Sequence, residues 1–134
     1  MHPGIAFMRL IAPLPLPVIR ALGWCLGQLL YRLARSRRRV TLINLKACFP
    51  EKSEEERIRI GRGVFQSLGR STLELGRLWY APVDIALANV RMVDRHYMDE
   101  WRGKKPVIVL APHFVGLDIG GARFSREYPE AFSM

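Results

Sequence analysis

The sequence predicts an α/β protein: N-terminal helices that seek a membrane interface, followed by the opening of an α/β domain carrying a strand, loop and helix site. Three observations lead there. The first fifty residues hold eight basic side chains and no acidic one, set among apolar residues. After Pro50 a long stretch repeats apolar residues at helical spacing. Near the C-terminus the period changes, and the β-branched run PVIVLAP delivers His113 at its end.

At 134 residues the chain is long enough for one domain with a core. Its net charge of +9 is concentrated at the N-terminus, in Arg9, Arg20, Arg32, Arg35, Arg37, Arg38, Arg39 and Lys46. Such a field attracts anionic lipid, nucleic acid or an acidic protein. The Leu, Ile and Trp residues around the arginines argue against nucleic acid. Residues 21–31 form the longest uncharged piece, well short of the ~20 apolar residues that span a bilayer. A secretory signal is interrupted by Pro13, Pro15 and Pro17, and no small-x-small cleavage site precedes the arginines. Residues 1–39 therefore read as a basic, apolar, membrane-associating segment. Its apolar face enters the headgroup boundary, while Arg32, Arg35, Arg37, Arg38 and Arg39 meet anionic lipid on the cytoplasmic side. The rival reading is a core helix of a soluble domain. Cys25 and Cys48 have no CxxC spacing and no metal-ligand neighbours, so they read as reduced, buried, small hydrophobes, and no metal site is expected.

Residues 40–134 read as the N-terminal part of the α/β domain. A short helix carries Val40, Ile43 and Leu42 or Leu45 and stops at Pro50. Ser53 followed by Glu56 has the capping-box spacing and opens a long helix to Tyr80. Val64, Phe65, Leu68, Thr72, Leu75 and Trp79 make its expected apolar face. Gly61, Gly63, Gly69 and Gly76 imply close approach to a neighbour or to lipid, at some cost in helix propensity. Residues 90–94 are a candidate strand, and a helical turn follows, ended by Gly103. Residues 107–111 are a candidate buried strand, and a last helix is halted before Pro129.

His113 thus stands at the carboxyl end of a strand, where open α/β sheets bind ligands. A histidine there accepts a proton from a hydroxyl, and a carboxylate one short loop away, Asp118, holds the imidazole in the productive tautomer. Gly116 suits the turn between them. The bland alternative is a half-buried histidine beside a capping aspartate. His96, in a polar stretch, reads as a surface residue.

Three stretches resemble a known family: RVTLINLKACFPE at residues 39–51, the Ser53-x-x-Glu56-Arg57 pattern, and the apolar run into HFVGLDIGGARF. They are similar to the late acyltransferases of lipid A biosynthesis, over nearly the whole chain. The resemblance implies transfer of a fatty acyl group from acyl carrier protein, or less often coenzyme A, to a hydroxyl of a phosphorylated glucosamine lipid. The place implied is the cytoplasmic face of the bacterial inner membrane. It gives His113 the role of general base and Asp118, where many members carry Glu, that of orienting acid. The acyl carrier is a co-substrate, and no further cofactor is implied. Family members continue much further, so the chain reads as an N-terminal fragment. As such it is expected neither to turn over nor to form a compact, soluble α/β domain by itself. A lysophospholipid or other small-lipid acyltransferase shares the third stretch, but the run from Asn44 to Glu51 argues against it. A non-catalytic membrane-associated fragment is the reading from a different class.

Overall fold

Helices account for all the regular structure of the described residues, 2–131, in the computed structural model of the chain. They fall into two units, Met1–Ala81 and Pro82–Met134.

The first unit begins with α1 (Pro3–Ile11), opened by His2, whose Nδ1 accepts a hydrogen bond from the Gly4 amide at 3.3 Å. A short turn leads into α2 (Leu16–Leu33). The three prolines permit this helix because Pro13 and Pro15 precede it. Pro17 lies in its first turn, where a backbone N–H has no helical acceptor to lose. α3 (Arg35–Cys48) follows after a break at Ala34. Then α4 (Glu54–Tyr80) starts at the expected capping box: the Ser53 side chain accepts from the Glu56 amide at 3.2 Å, and the Ser53 amide donates to Glu56 Oε2 at 2.9 Å. Such a cap contributes about 1 kcal/mol. That same backbone N–H holds the Glu56 carboxyl below its ordinary pKa.

α2 and α4 run antiparallel, since Arg20 pairs with Glu74, Gly23 lies against Gly69 and Arg70, and Gly27 against Phe65 and Gln66. The approach is backbone to backbone. A Cβ on Gly23 would sit 2.5 Å from the Arg70 Cα, and one on Gly27 2.5 Å from the Gln66 Cα. Gly23 and Gly27 have the small-x-x-x-small spacing that allows such contact. Gly76 lies under Met8 of α1, and Gly61 under Leu42 and Leu45 of α3. Ile11, Ile19 and Leu73 form the buried cluster between these helices, with Met8, Leu14 and Leu26 packed around it. Tyr31 closes the far end, its ring edge-on to Phe65 at 5.4 Å.

The buried face of α4 therefore departs from the expected one. Gly61, Phe65, Gly69, Leu73 and Gly76 are buried, whereas Val64, Leu68 and Trp79 are exposed. Hydrophobic periodicity weighs side chains and gives glycine little weight. Here the contact is between backbones, and a leucine-lined face would hold the helices further apart. The cysteines also depart from expectation: Cys25 and Cys48 are both exposed.

The second unit holds α5 (Val83–Leu87), α6 (His96–Asp99) and α7 (Leu117–Glu127). Ala86, Leu87 and Tyr128 are its buried residues. Side-chain pairs tie it together: Arg95 bridges Asp99 and Glu127, Arg102 meets Glu130, and the Tyr128 hydroxyl donates to Asp99 Oδ1 at 2.9 Å. His96 is exposed, as expected, and stacks on Tyr97.

The α/β expectation is corrected for the described residues, among which there is no strand. Residues 90–94 end in a turn at Asp94, where φ is +55°. Residues 107–111 form no regular structure and pair with no neighbouring segment, with Ile108 98% and Leu110 91% exposed. A strand exists by its ladder of hydrogen bonds to a neighbour, and an apolar segment without that neighbour stays in solvent.

Candidate functional site

His113 follows the exposed apolar segment and is itself exposed. The chain then turns: the Phe114 amide donates to the Pro112 carbonyl at 2.8 Å, and the Leu117 amide to the Phe114 carbonyl at 3.2 Å. Gly116 makes the turn with φ +91°, the left-handed region in which glycine meets no steric cost, and it is the N-cap of α7. This is the role the sequence suggests for it. Asp118 lies exposed in the first turn of α7, where a negative charge faces the positive end of the helix dipole. No hydrogen bond joins His113 to Asp118. The local backbone places the two residues on either side of one tight turn and leaves both side chains open.

Arg32, at the end of α2, and Arg35, Arg37 and Arg39 of α3 are exposed. Arg38 differs from them. It is half-buried, its guanidinium donates to the Tyr31 carbonyl at 3.2 Å, and it lies over the Tyr31 ring at 5.3 Å. Among the described residues no helix is long and apolar enough to cross a membrane. Apolar side chains nevertheless line the outside of this unit, among them Phe7 and Leu10 of α1 and Val18, Leu22, Leu29 and Leu33 of α2. On α2 these four share one face, opposite the glycines that meet α4.

A cavity of about 600 Å³, not foreseen from the sequence, lies beside α4, lined by Gln28 of α2 and by Glu55, Arg59, Arg62 and Gln66 of α4. Arg62 also reaches over the Tyr31 ring, at 5.6 Å, so two guanidinium groups converge on one aromatic ring. The signal was present in the sequence. Arg59, Arg62 and Gln66, spaced three and four apart, must share one helical face.

Among the described residues no three His, Cys, Asp or Glu side chains gather as a metal site. The two family-like stretches near Pro50 prove to be one structural device. Arg57 donates to the Phe49 carbonyl at 3.4 Å and to that of Lys52, which clamps the turn between α3 and α4.

Comparison with known proteins first defines a class, the acyltransferases. The model of the bacterial lipid A biosynthesis acyltransferase family matches residues 2–134, and the chain belongs to that family. The lipid A biosynthesis lauroyltransferase of Escherichia coli (strain K12) is 34% identical over 128 residues, 94% of this chain and 42% of the relative. The palmitoleoyltransferase of the same organism is 30% identical, covering 88% of this chain and 39% of its own. The myristoyltransferase is 33% identical, covering 87% and 36% respectively. The chain thus spans about two fifths of the length of these relatives. No solved structure matches it.

Proposed function

We propose that the protein is a membrane-bound O-acyltransferase of lipopolysaccharide biosynthesis. It moves a fatty acyl group from acyl carrier protein or coenzyme A to a hydroxyl of a lipid A precursor, at the cytoplasmic face of the bacterial inner membrane. The observation that carries the reading is the family match over almost the entire chain, His113 and Asp118 included.

The chemistry asks little of the two residues. The neutral His113 imidazole takes the proton of the acceptor hydroxyl as its oxygen attacks the thioester carbonyl. The tetrahedral intermediate collapses to the ester, and the carrier thiolate leaves with that proton. Asp118 holds the ring in the tautomer that presents a free nitrogen to the hydroxyl and stabilises the imidazolium. For this the aspartate must swing onto His113, a movement of side chains across the Gly116 turn. In a chain of the relatives' full length, residues 107–111 pair within a sheet, completing the α/β fold and fixing His113 at its edge. The exposed apolar segment is the feature that supports this, since its burial removes Ile108 and Leu110 from water.

Membrane attachment rests on the outward apolar residues of α1 and α2 together with Arg32, Arg35, Arg37 and Arg39. Each basic group near an anionic surface contributes about 1 kcal/mol.

The test is acyl transfer by the full-length protein, with defined acyl carriers and a lipid A precursor. His113→Ala should lower turnover on the order of a hundred- to ten-thousand-fold while leaving vesicle binding intact. Retention of more than about a tenth of the rate would make His113 structural.

A further inference from the structure

The cavity beside α4 is not used by the His113 chemistry, and it has the composition of an anion site. Arg59 and Arg62 line it from one helix, Gln66 adds an amide on the same face, and Gln28 adds a second amide from α2. One carboxylate, Glu55, shares the lining, so the cations are in excess. Arg38 is fastened to the Tyr31 carbonyl and lies over the same ring as Arg62. Arg59 and Arg62, one helical turn apart on the same face, place two guanidinium groups at one cavity, and an anion bound there offsets the repulsion between them.

Size and surroundings narrow the ligand. A guanidinium fork matches the oxygens of a phosphate, and a phosphate monoester carries close to two negative charges at neutral pH. A cavity of about 600 Å³ is far larger than one phosphate ion and lies in the range that holds a small organic ligand. Trp24, one turn before Gln28 on α2, is 41% exposed, an amphipathic ring of the kind that sits at headgroup depth.

We propose that Arg59, Arg62, Gln28 and Gln66 form a binding site for the phosphate monoester of a lipid headgroup. The inference rests on the proposed function only for which lipid supplies that headgroup. Binding is measured without turnover, so an inactive chain that still selects phosphate monoesters would separate the two.

The experiment is flotation of the chain with phosphatidylcholine vesicles that contain phosphatidic acid, a monoester, or phosphatidylglycerol, a diester, at matched surface charge. The expected result is a preference for phosphatidic acid on the order of tenfold, as expected for hydrogen bonds to a charged group. Arg59→Gln with Arg62→Gln should abolish the preference. Arg59→Lys with Arg62→Lys, which keeps the charge and removes the forks, should lose most of it. Arg35→Gln with Arg37→Gln should weaken binding to both vesicles and keep the ratio. Helix content of each variant by circular dichroism confirms that the fold is retained. Equal binding of the two lipids by the unaltered chain, or parallel losses on both lipids from the Arg59 and Arg62 changes, would overturn the site. Loss of the preference in millimolar inorganic phosphate would assign the site to the free ion and overturn the lipid headgroup.

Discussion

The two units of this chain are held by different forces. In the first, α2 and α4 meet through their backbones at Gly23, Gly27 and Gly69, and Ile11, Ile19 and Leu73 are sealed between helices. In the second, the buried residues are Ala86, Leu87 and Tyr128, and the elements are joined by arginine and carboxylate pairs on the surface. Close-packed backbones gain dispersion over many atom pairs and tolerate no added volume. Exposed ion pairs contribute at most about 1 kcal/mol each and are weakened by salt. The first unit should therefore be stable and brittle to substitution, the second tolerant of substitution and sensitive to solution conditions.

The largest effect should come from Gly69→Leu. Its side chain would enter the backbone of Gly23 and Gly27, so a loss of about 3 kcal/mol or more is expected in urea melts followed by circular dichroism. Gly63→Leu is the control, since nothing lies within 4 Å of a Cβ there. It should be neutral or slightly stabilising, because glycine disfavours helix by about 1 kcal/mol. Equal losses from the two would remove the case for backbone packing.

In the second unit, Gly116→Ala should cost about 1 to 2 kcal/mol, because φ of +91° strains any residue with a Cβ. Amide hydrogen exchange over α7 reads this directly, and unchanged protection would show that the turn relaxes to another conformation. Returning to the first unit, Ser53→Ala should cost about 1 kcal/mol by removing one half of the capping box. Unaltered stability would mean that water caps α4 equally well.

The smallest effect is one of pH. The Arg95 guanidinium, and then the Tyr128 hydroxyl, hold the Asp99 carboxyl below its ordinary pKa. A depressed folded pKa gives stability that is present above the unfolded value of about 4 and is lost as pH falls through the folded value. Protection of α7 amides should thus decline below about pH 4, and sooner in high salt, as Arg95 also pairs with Glu127 of that helix. Salt-independent protection of α7 would show that Tyr128 packing, rather than charge, holds this unit.

Much of this was legible because it is local. The capping box at Ser53 and Glu56, the positive φ of Gly103 and Gly116 and the end of α7 before Pro129 each depend on residues a few positions apart. Of the candidate site, the Gly116 turn between His113 and Asp118 was legible in this way, whereas contact between the two side chains is no part of that turn. The exposure of the two cysteines was not, because neither residue carries a local signal of which helix face meets a neighbour.

By itself, then, the sequence determined where α4 starts and ends, where α3 and α7 stop, the basic N-terminus and the family pattern, all of which follow from short-range chemistry. Tertiary structure alone decided which face of α4 is buried, since Gly69 became an interface only when Gly23 and Gly27 came to lie opposite it. It also decided that Arg38 turns in to Tyr31 while Arg37 and Arg39 face solvent, and that Gln28 joins Arg59 and Arg62 around one cavity. The same reasoning explains residues 107–111. An apolar β-branched run specifies an extended backbone locally, but a strand needs a partner, and partners are supplied by residues far away in the chain.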